Sequence, residues 1–128
     1  MNVLLIEPDR ILAQTYKQAL ESEDMLRVKT VRGAQAAITA ADILEPDLVI
    51  LELQLIEHSG IEFLYEFRSY SDWQTIPVII QTIVPFSEFQ NSWHLLKSEL
   101  GVRAYLYKPH TSLQQLRTYV KEYSPVVK

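Results

Sequence analysis

Two carboxylic acids, one hydroxyl and one amine each stand at or just after the end of a short apolar run in this sequence. They are Glu7, Glu52, Thr82 and Lys108. Carboxylates next to an ammonium group can hold a cation, accept strong hydrogen bonds or support transfer of a charged group. Which of these is available depends on whether the fold brings the four side chains together.

The four residues belong to a chain that alternates strand-like and helix-like patterns. Short, continuously apolar runs such as Leu48–Leu51 are typical of parallel strands covered on both faces, and the segments between them have apolar residues at helical spacing. The predicted strands are 3–6, 26–30, 48–51, 77–82 and 104–107. The predicted helices are 10–20, 34–44, 61–70, 87–100 and 112–123, two of them capped by Asp9 and Ser87.

This alternation predicts an α/β fold with a doubly wound, five-stranded parallel sheet, helices on both faces and the flavodoxin-like strand order 2-1-3-4-5. Ligands of such sheets bind outside the carboxyl ends of the strands. Strands one, three, four and five are neighbours in that order. We therefore expect Glu7, Glu52, Thr82 and Lys108 to meet at one edge of the sheet.

The composition is that of one globular domain, predicted over residues 1–123 with a tail at 124–128. Of the 128 residues, 48% are hydrophobic and 22% are charged, and the formal net charge of −4 argues against non-specific nucleic-acid binding. The absence of cysteine excludes a disulfide framework and a thiolate metal site. No apolar run has the length of a membrane span and the start lacks a signal-peptide pattern, so a cytoplasmic protein is expected.

Other residue types with chemical potential give weaker signals. The three histidines have no zinc-ligand spacing and are expected at the surface: His58, His94 and His110. The chain has no Gly-rich phosphate loop, and no Ser-His-Asp set can be placed at the sheet edge. A stripe at helical spacing is predicted to face the core: Phe89, Trp93, Leu96 and Leu100. Three further aromatic residues are predicted to be exposed: Trp73, Phe86 and Tyr119.

Several segments together carry a family resemblance. They are 3–9, 46–52 with Gly60 following, 77–82, and 101–109 with its Lys108-Pro109 pair. Over essentially its whole length the chain resembles the receiver domains of bacterial two-component response regulators. The resemblance implies an aspartate that accepts a phosphoryl group, Mg²⁺ bound by neighbouring acids, a lysine that falls on Lys108, and a hydroxyl residue and an aromatic residue that switch position. The two switching positions fall on Thr82 and Tyr105.

The departures from the family pattern concern the chemistry itself. The phosphoacceptor position is Glu52, longer than aspartate by one carbon–carbon bond of about 1.5 Å. The acid pair of the family is reduced to Glu7 and Pro8, and proline has no side-chain oxygen to bind a metal. Mg²⁺ demands near-octahedral oxygen ligation, so we expect weak or absent Mg²⁺ binding and assign no metal ligand. Asp9 could replace the missing acid, although a helix-capping role is favoured.

Two smaller departures lie beside these positions. The residue after Thr82 is Ile83 where the family has a small side chain, and the loop after Glu52 has Ile56 where the family has proline. For Glu52 itself two interpretations stay open. Its carboxylate either imitates a phosphoryl group by pairing with Lys108 or Thr82, or it is a solvated residue at the sheet edge.

The sequence therefore predicts a degenerate receiver domain, a signal-transduction module and not an enzyme, that acts through protein–protein contacts independently of phosphorylation. The resemblance implies a protein partner, such as a histidine kinase, an output protein or an adaptor, on the face of helix four, strand five and helix five. It is also compatible with a homodimer. Two alternatives stay open: an active phosphoacceptor that uses Glu52 and Mg²⁺ in a phosphorelay, and a flavodoxin-like redox carrier.

Overall fold

The computed structural model describes residues 1–22 and 25–124. Five parallel strands form one sheet in the order β2-β1-β3-β4-β5, which confirms the predicted fold class. The strands are β1 (Asn2–Ile6), β2 (Arg27–Val31), β3 (Leu48–Leu51), β4 (Val78–Thr82) and β5 (Val102–Tyr107). The helices are α1 (Arg10–Glu21), α2 (Ala34–Leu44), α3 (Gly60–Ser69), α4 (Trp93–Ser98) and α5 (Leu113–Tyr123). Apart from Ser124, the predicted tail lies outside the described residues.

Two hydrophobic cores lie on the two faces of the sheet, because successive strand residues point to opposite sides. Leu4 and Val49 belong to the core under α2, α3 and α4, whereas Val3 and Ile50 belong to the core under α1 and α5. Strands β1 and β3 are buried on both faces, which explains why they consist of continuous apolar runs. None of the described helices has the length and hydrophobicity needed to cross a lipid bilayer.

The predicted fourth helix is much shorter than the sequence pattern indicated. The prediction of a continuous helix over 87–100 is wrong, because two 3₁₀ turns, Phe86–Glu88 and Gln90–Ser92, precede α4. Serine and asparagine side chains compete for backbone hydrogen bonds in this segment. Tertiary packing also competes with helix formation, because the rings of Phe86 and Trp93 both contact Tyr105. Of the predicted core stripe, Leu96 and Leu100 are buried, while Phe89 and Trp93 are half-buried.

The predicted exposure of Trp73 is wrong as well. A 3₁₀ turn, Ser71–Trp73, folds back after α3 and stacks the indole ring on Phe67, with ring centroids 5.0 Å apart. Trp73 is buried as a result, whereas Phe86 and Tyr119 are half-buried. The histidines are exposed, as predicted.

The buried guanidinium of Arg68 ties the loops at the amino edge of the sheet together. It donates to the carbonyl oxygens of Leu100 at 2.9 Å, Trp73 at 2.5 Å and Ile76 at 2.6 Å. Gly101 passes close beside it with a φ of 67°, and a Cβ there would overlap Nη2 of Arg68. The close approach and the positive φ both require glycine at this position.

The edge strand β2 has one of its outward backbone donors occupied. The amide of Arg27 donates inward to Met1, so the amide of Val28, the next residue, points away from β1. The carboxylate of Glu21, at the end of α1, accepts a hydrogen bond of 2.8 Å from that amide. Helix α1 and the sheet edge are thereby joined.

We predict that Arg68→Met lowers the free energy of unfolding by about 2–5 kcal/mol, because several buried carbonyl groups lose their donor. Urea denaturation measures this change. Arg103→Met is the matched control, since Arg103 is exposed, and its effect should stay within about 0.5 kcal/mol. Equal effects of the two substitutions would contradict the assigned role of Arg68.

Candidate functional site

The carboxyl edge of the sheet brings the four predicted residues together. Glu7 follows β1, Glu52 follows β3, Thr82 ends β4 and Lys108 follows β5. Both acids are buried, at 2% exposure for Glu7 and 3% for Glu52, and Thr82 is fully buried. The apolar strands that lead to these residues hold their backbones in fixed register. The low exposure of the side chains means that little solvent reaches them.

Lys108 bridges the two acids. Its Nζ atom lies 2.6 Å from Oε1 of Glu7 and 2.7 Å from Oε1 of Glu52. Burial by itself would lower the pKa of Lys108, but the hydrogen bonds and negative charges of the two carboxylates outweigh that effect and raise the pKa above its ordinary value. The lysine is therefore held as a buried cation between two anions.

The carboxylate of Glu52 accepts hydrogen bonds from several neighbouring groups. Besides Lys108, the hydroxyl of Thr82 donates to Oε2, the amide of Gln54 donates to Oε2 at 3.1 Å, and the amide of Ile83 donates to Oε1 at 3.3 Å. Hydrogen bonds to an ionised acceptor are stronger than those between neutral groups. The interpretation of Glu52 as a solvated edge residue is wrong, because its oxygens are enclosed by these donors.

The loop that carries Glu52 is fixed from behind by Gly60. The amide of Gly60 donates to the carbonyl of Leu53 at 2.8 Å. A Cβ on Gly60 would lie 2.8 Å from Cα of Leu53 and 2.9 Å from the carbonyl oxygen of Glu52, which is closer than such atoms approach. Glycine is needed here for a close backbone contact, and the contact holds Glu52 at the end of β3.

Thr82 and Tyr105 are linked through the loop after β4. The Thr82 hydroxyl, which donates to Glu52, accepts a hydrogen bond of 3.1 Å from the amide of Val84. The hydroxyl of Tyr105 donates to the carbonyl of Val84 at 2.7 Å. Burial raises the pKa of Tyr105, and the charges of Glu88 and Glu52 raise it further, so the hydroxyl keeps its proton and remains a donor. A chain of contacts thus runs from Glu52 to Tyr105.

Aromatic rings enclose the Tyr105 side chain. Phe86 packs edge-on at a centroid distance of 5.2 Å, Phe89 lies at 6.1 Å and Trp93 at 6.4 Å. The edge-to-face pairs that Phe86 and Trp93 form with Tyr105 stabilise by about 0.5–1.5 kcal/mol each. The two 3₁₀ turns that replace the start of the predicted helix place these rings, so the irregular segment is part of the Tyr105 environment.

The donor set at this edge does not fit Mg²⁺. Pro8 offers no side-chain oxygen, and the oxygens of Glu7 and Glu52 already accept from Lys108 and neighbouring donors. The carboxylate of Asp9 turns toward α1 and accepts from the amides of Ile11 and Leu12, so its predicted capping role is confirmed. Within residues 1–22 and 25–124, no group of three or more His, Asp or Glu side chains is arranged to hold a metal ion.

Some members of this site had no signal in the sequence. The amides of Gln54 and Ile83 and the carbonyl of Val84 are backbone groups, so their roles do not depend on residue type. The aromatic residues did have a signal, but the helical spacing of Phe89 and Trp93 suggested a core stripe, and Phe86 was predicted to be exposed. Their clustering around a half-buried tyrosine depends on the backbone path after Pro85.

A parallel sheet whose carboxyl edge holds buried acids, a lysine and a hydroxyl linked to an aromatic side chain defines a signalling domain of the receiver class. The profile of the family described as response regulator receiver domain matches residues 3–121. The chain belongs to this family.

Relatives with curated names support the assignment. The chain is 32% identical over 108 residues to the KDP operon transcriptional regulatory protein KdpE of Escherichia coli (strain K12), covering 84% of this chain and 44% of that protein. It is 28% identical over 113 residues to the transcriptional regulatory protein YdfI of Bacillus subtilis (strain 168), covering 86% and 49% respectively. The chain thus spans about half the length of these relatives.

Solved structures show the same fold. Chemotaxis protein CheY4 of Vibrio cholerae superposes with a TM-score of 0.83 at 19% identity, covering 95% of this chain and 97% of that one. The signal receiver domain of a putative Luxo repressor protein from Vibrio parahaemolyticus superposes with a TM-score of 0.79 at 29% identity, covering 95% and 88%.

We predict that Lys108→Met lowers the free energy of unfolding at neutral pH by about 3–5 kcal/mol, because it leaves two buried carboxylates without their counter-ion. Adding Glu7→Gln and Glu52→Gln should recover most of the loss. In the unsubstituted protein, the pKa of Lys108 is higher in the folded state than its unfolded-state value of about 10.4. The charged lysine therefore stabilises the fold fully below that unfolded-state pKa, and the stabilisation is lost as the pH rises through the folded-state pKa. Urea titrations over this pH range measure both effects.

The control for this prediction is Lys97→Met. Lys97 is exposed on α4, so its replacement should change stability by no more than about 0.5 kcal/mol. If Lys108→Met is no more destabilising than the control, the bridge between the acids does not stabilise the domain.

Proposed function

We propose that this receiver domain signals independently of phosphorylation, with the Glu52 carboxylate supplying the negative charge that a phosphoryl group supplies in conventional members of the family. The observation that carries the proposal is the enclosure of Glu52 by Lys108, the Thr82 hydroxyl and two backbone amides. An anion at this point in the resembled family draws the hydroxyl residue toward it. Here a carboxylate of the chain itself occupies that role.

The Tyr105 environment supports a fixed active-like arrangement. Thr82 donates to Glu52 and accepts from Val84, while Tyr105 donates to Val84 and is enclosed by aromatic rings. A conformation is favoured only by the difference in contacts between the two states. Glu52 supplies such a difference, because withdrawal of Thr82 would leave a buried carboxylate oxygen with one donor fewer.

The residues at this edge do not supply the positioning and charge neutralisation that conventional phosphoryl transfer needs. Such transfer depends on positioning and on neutralisation of charge, chiefly by a metal ion. The pocket holds two acids and one lysine, net −1, so a dication is needed less than where three acids face one lysine. Weak or absent Mg²⁺ binding and the lack of enzymatic activity are parts of the same proposal.

The face of α4, β5 and α5 is the surface on which we expect a protein partner, be it a kinase, an output protein or an adaptor. Tyr105 on β5 and Trp93 on α4 connect this face to the Thr82 loop. Exposed basic groups surround it, including Lys97 and Arg103, and Lys97 lies 5.8 Å from the Trp93 ring centroid. The arrangement of Thr82 can therefore alter the surface that a partner contacts.

We predict that incubation with acetyl phosphate and Mg²⁺ adds no stoichiometric phosphoryl group, as measured by the mass of the intact protein. The displaced carboxylate and the missing metal ligand are the physical reasons. Glu52→Gln serves as the control, because any mass increase that persists in it arises at another residue. A stoichiometric addition that disappears in Glu52→Gln would establish the phosphorelay alternative and overturn the proposal.

We further predict that Glu52→Gln shifts the amide resonances of residues 82–84 and 105 in ¹H–¹⁵N spectra and broadens the Tyr105 ring signals. The neutral amide keeps most of the volume but removes the charge that holds Thr82 and Lys108. Glu57→Gln is the matched control, since Glu57 is exposed in the same loop. If the Glu52→Gln spectrum is superimposable on the original at β4 and β5, the charge of Glu52 does not set the state of Tyr105.

A further inference from the structure

We propose that a groove between the carboxyl-terminal ends of α2 and α3 binds a basic segment of a partner protein, one that presents Arg or Lys next to apolar side chains. The groove lies at the amino edge of the sheet, because helices that follow parallel strands run back toward that edge. It is therefore on the opposite side of the domain from Glu52 and independent of the function proposed above.

The groove is apolar at its base and exposed at its rim. It has a volume of about 380 Å³ and is lined by Ile38, Thr39, Asp42, Ile43, Tyr70 and Trp73. Ile43 is 79% exposed and Tyr70 is 44% exposed, although both are large apolar side chains. The Tyr70 ring packs against Trp73 with centroids 4.7 Å apart, which leaves the outer face of Tyr70 as the wall of the groove.

The part of the chain that forms the groove carries an excess of negative charge. Residues 33–76 contain eight acidic residues and one basic residue, Arg68, whereas the rest of the chain contains eight acidic and eleven basic residues. Arg68 is buried and donates to backbone carbonyls, so it neutralises none of the surface acids. Asp42, Glu66 and Asp72 are exposed, and within the described part of the chain none of them forms an ion pair.

The helices add to this potential. Both α2 and α3 end beside the groove, and the carboxyl end of a helix carries partial negative charge that favours cations. The last turn of α2 contains no basic residue, and the residue after it is Glu45. The last turn of α3 does contain Arg68, but its guanidinium is taken up by backbone carbonyls, so a free cationic side chain is the group that the end of α2 and the nearby carboxylates lack.

A basic amphipathic segment is complementary to the groove in both charge and hydrophobicity. A guanidinium or ammonium group can lie over the exposed face of Tyr70 while it contacts the carboxylate of Asp42 or Asp72. An adjoining apolar side chain can cover Ile43, whose exposure is otherwise unfavourable. A purely apolar occupant would make no use of the carboxylates, and an acidic one would be repelled.

The test uses a random peptide library displayed on phage and selected against the immobilised chain, with peptides of about twelve residues, which reach about 40 Å when extended. We expect enrichment of Arg and Lys interleaved with apolar residues. Dissociation constants of an enriched peptide, measured by fluorescence anisotropy, should rise about three- to tenfold in Ile43→Ser and in the pair Asp42→Asn with Asp72→Asn. They should also rise with added salt.

The controls replace an exposed isoleucine and an exposed acid at the opposite edge of the sheet. Ile11 is 78% exposed and Glu57 is exposed, so Ile11→Ser and Glu57→Gln should leave the dissociation constant unchanged. All these side chains are at the surface, and circular dichroism verifies that each variant folds. Enriched peptides without basic residues, or binding unaffected by the groove substitutions, would overturn the proposal. Self-association that Ile43→Ser abolishes would overturn it in favour of a second copy of this chain.

Discussion

The ammonium group of Lys108 between Glu7 and Glu52 is the interaction on which the carboxyl edge of this domain depends. Two carboxylates at 2% and 3% exposure are unfavourable in a protein interior unless a cation satisfies them. Because the three residues follow β1, β3 and β5, this one cation joins the ends of three strands. Thr82 donates to Glu52 beside this bridge, and Tyr105 is linked to Thr82 through the backbone of Val84.

The substitutions at the family's acidic positions are physically consistent with one another. Replacement of one acid by Pro8 removes a negative charge and an oxygen ligand, and the longer Glu52 brings its carboxylate to the lysine and to Thr82. With two acids and one lysine at this edge, the lysine contacts both acids, and Thr82 and two backbone amides complete the contacts of Glu52.

The sequence was sufficient to predict the sheet and the convergence of the four polar residues, because buried parallel strands have a strong apolar pattern and end at a common edge. It was not sufficient for the segment before α4. Helical spacing of Phe89 and Trp93 predicted a continuous helix there, but their packing around Tyr105 favours 3₁₀ turns. The burial of Trp73 depends on a turn that folds back on α3, and the enclosure of Glu52 depends on backbone amides that any residue provides.

The hydrogen bond from the amide of Val28 to the carboxylate of Glu21 affects how the β2 edge of the sheet can pair with another chain. An exposed edge strand offers free amides to an incoming peptide, which can extend the sheet by backbone pairing. Here the carboxylate competes for that amide, so an incoming strand would have to displace a charged acceptor of the same chain. Pairing of an incoming strand with β2 at Val28 is thus opposed by a contact within the chain.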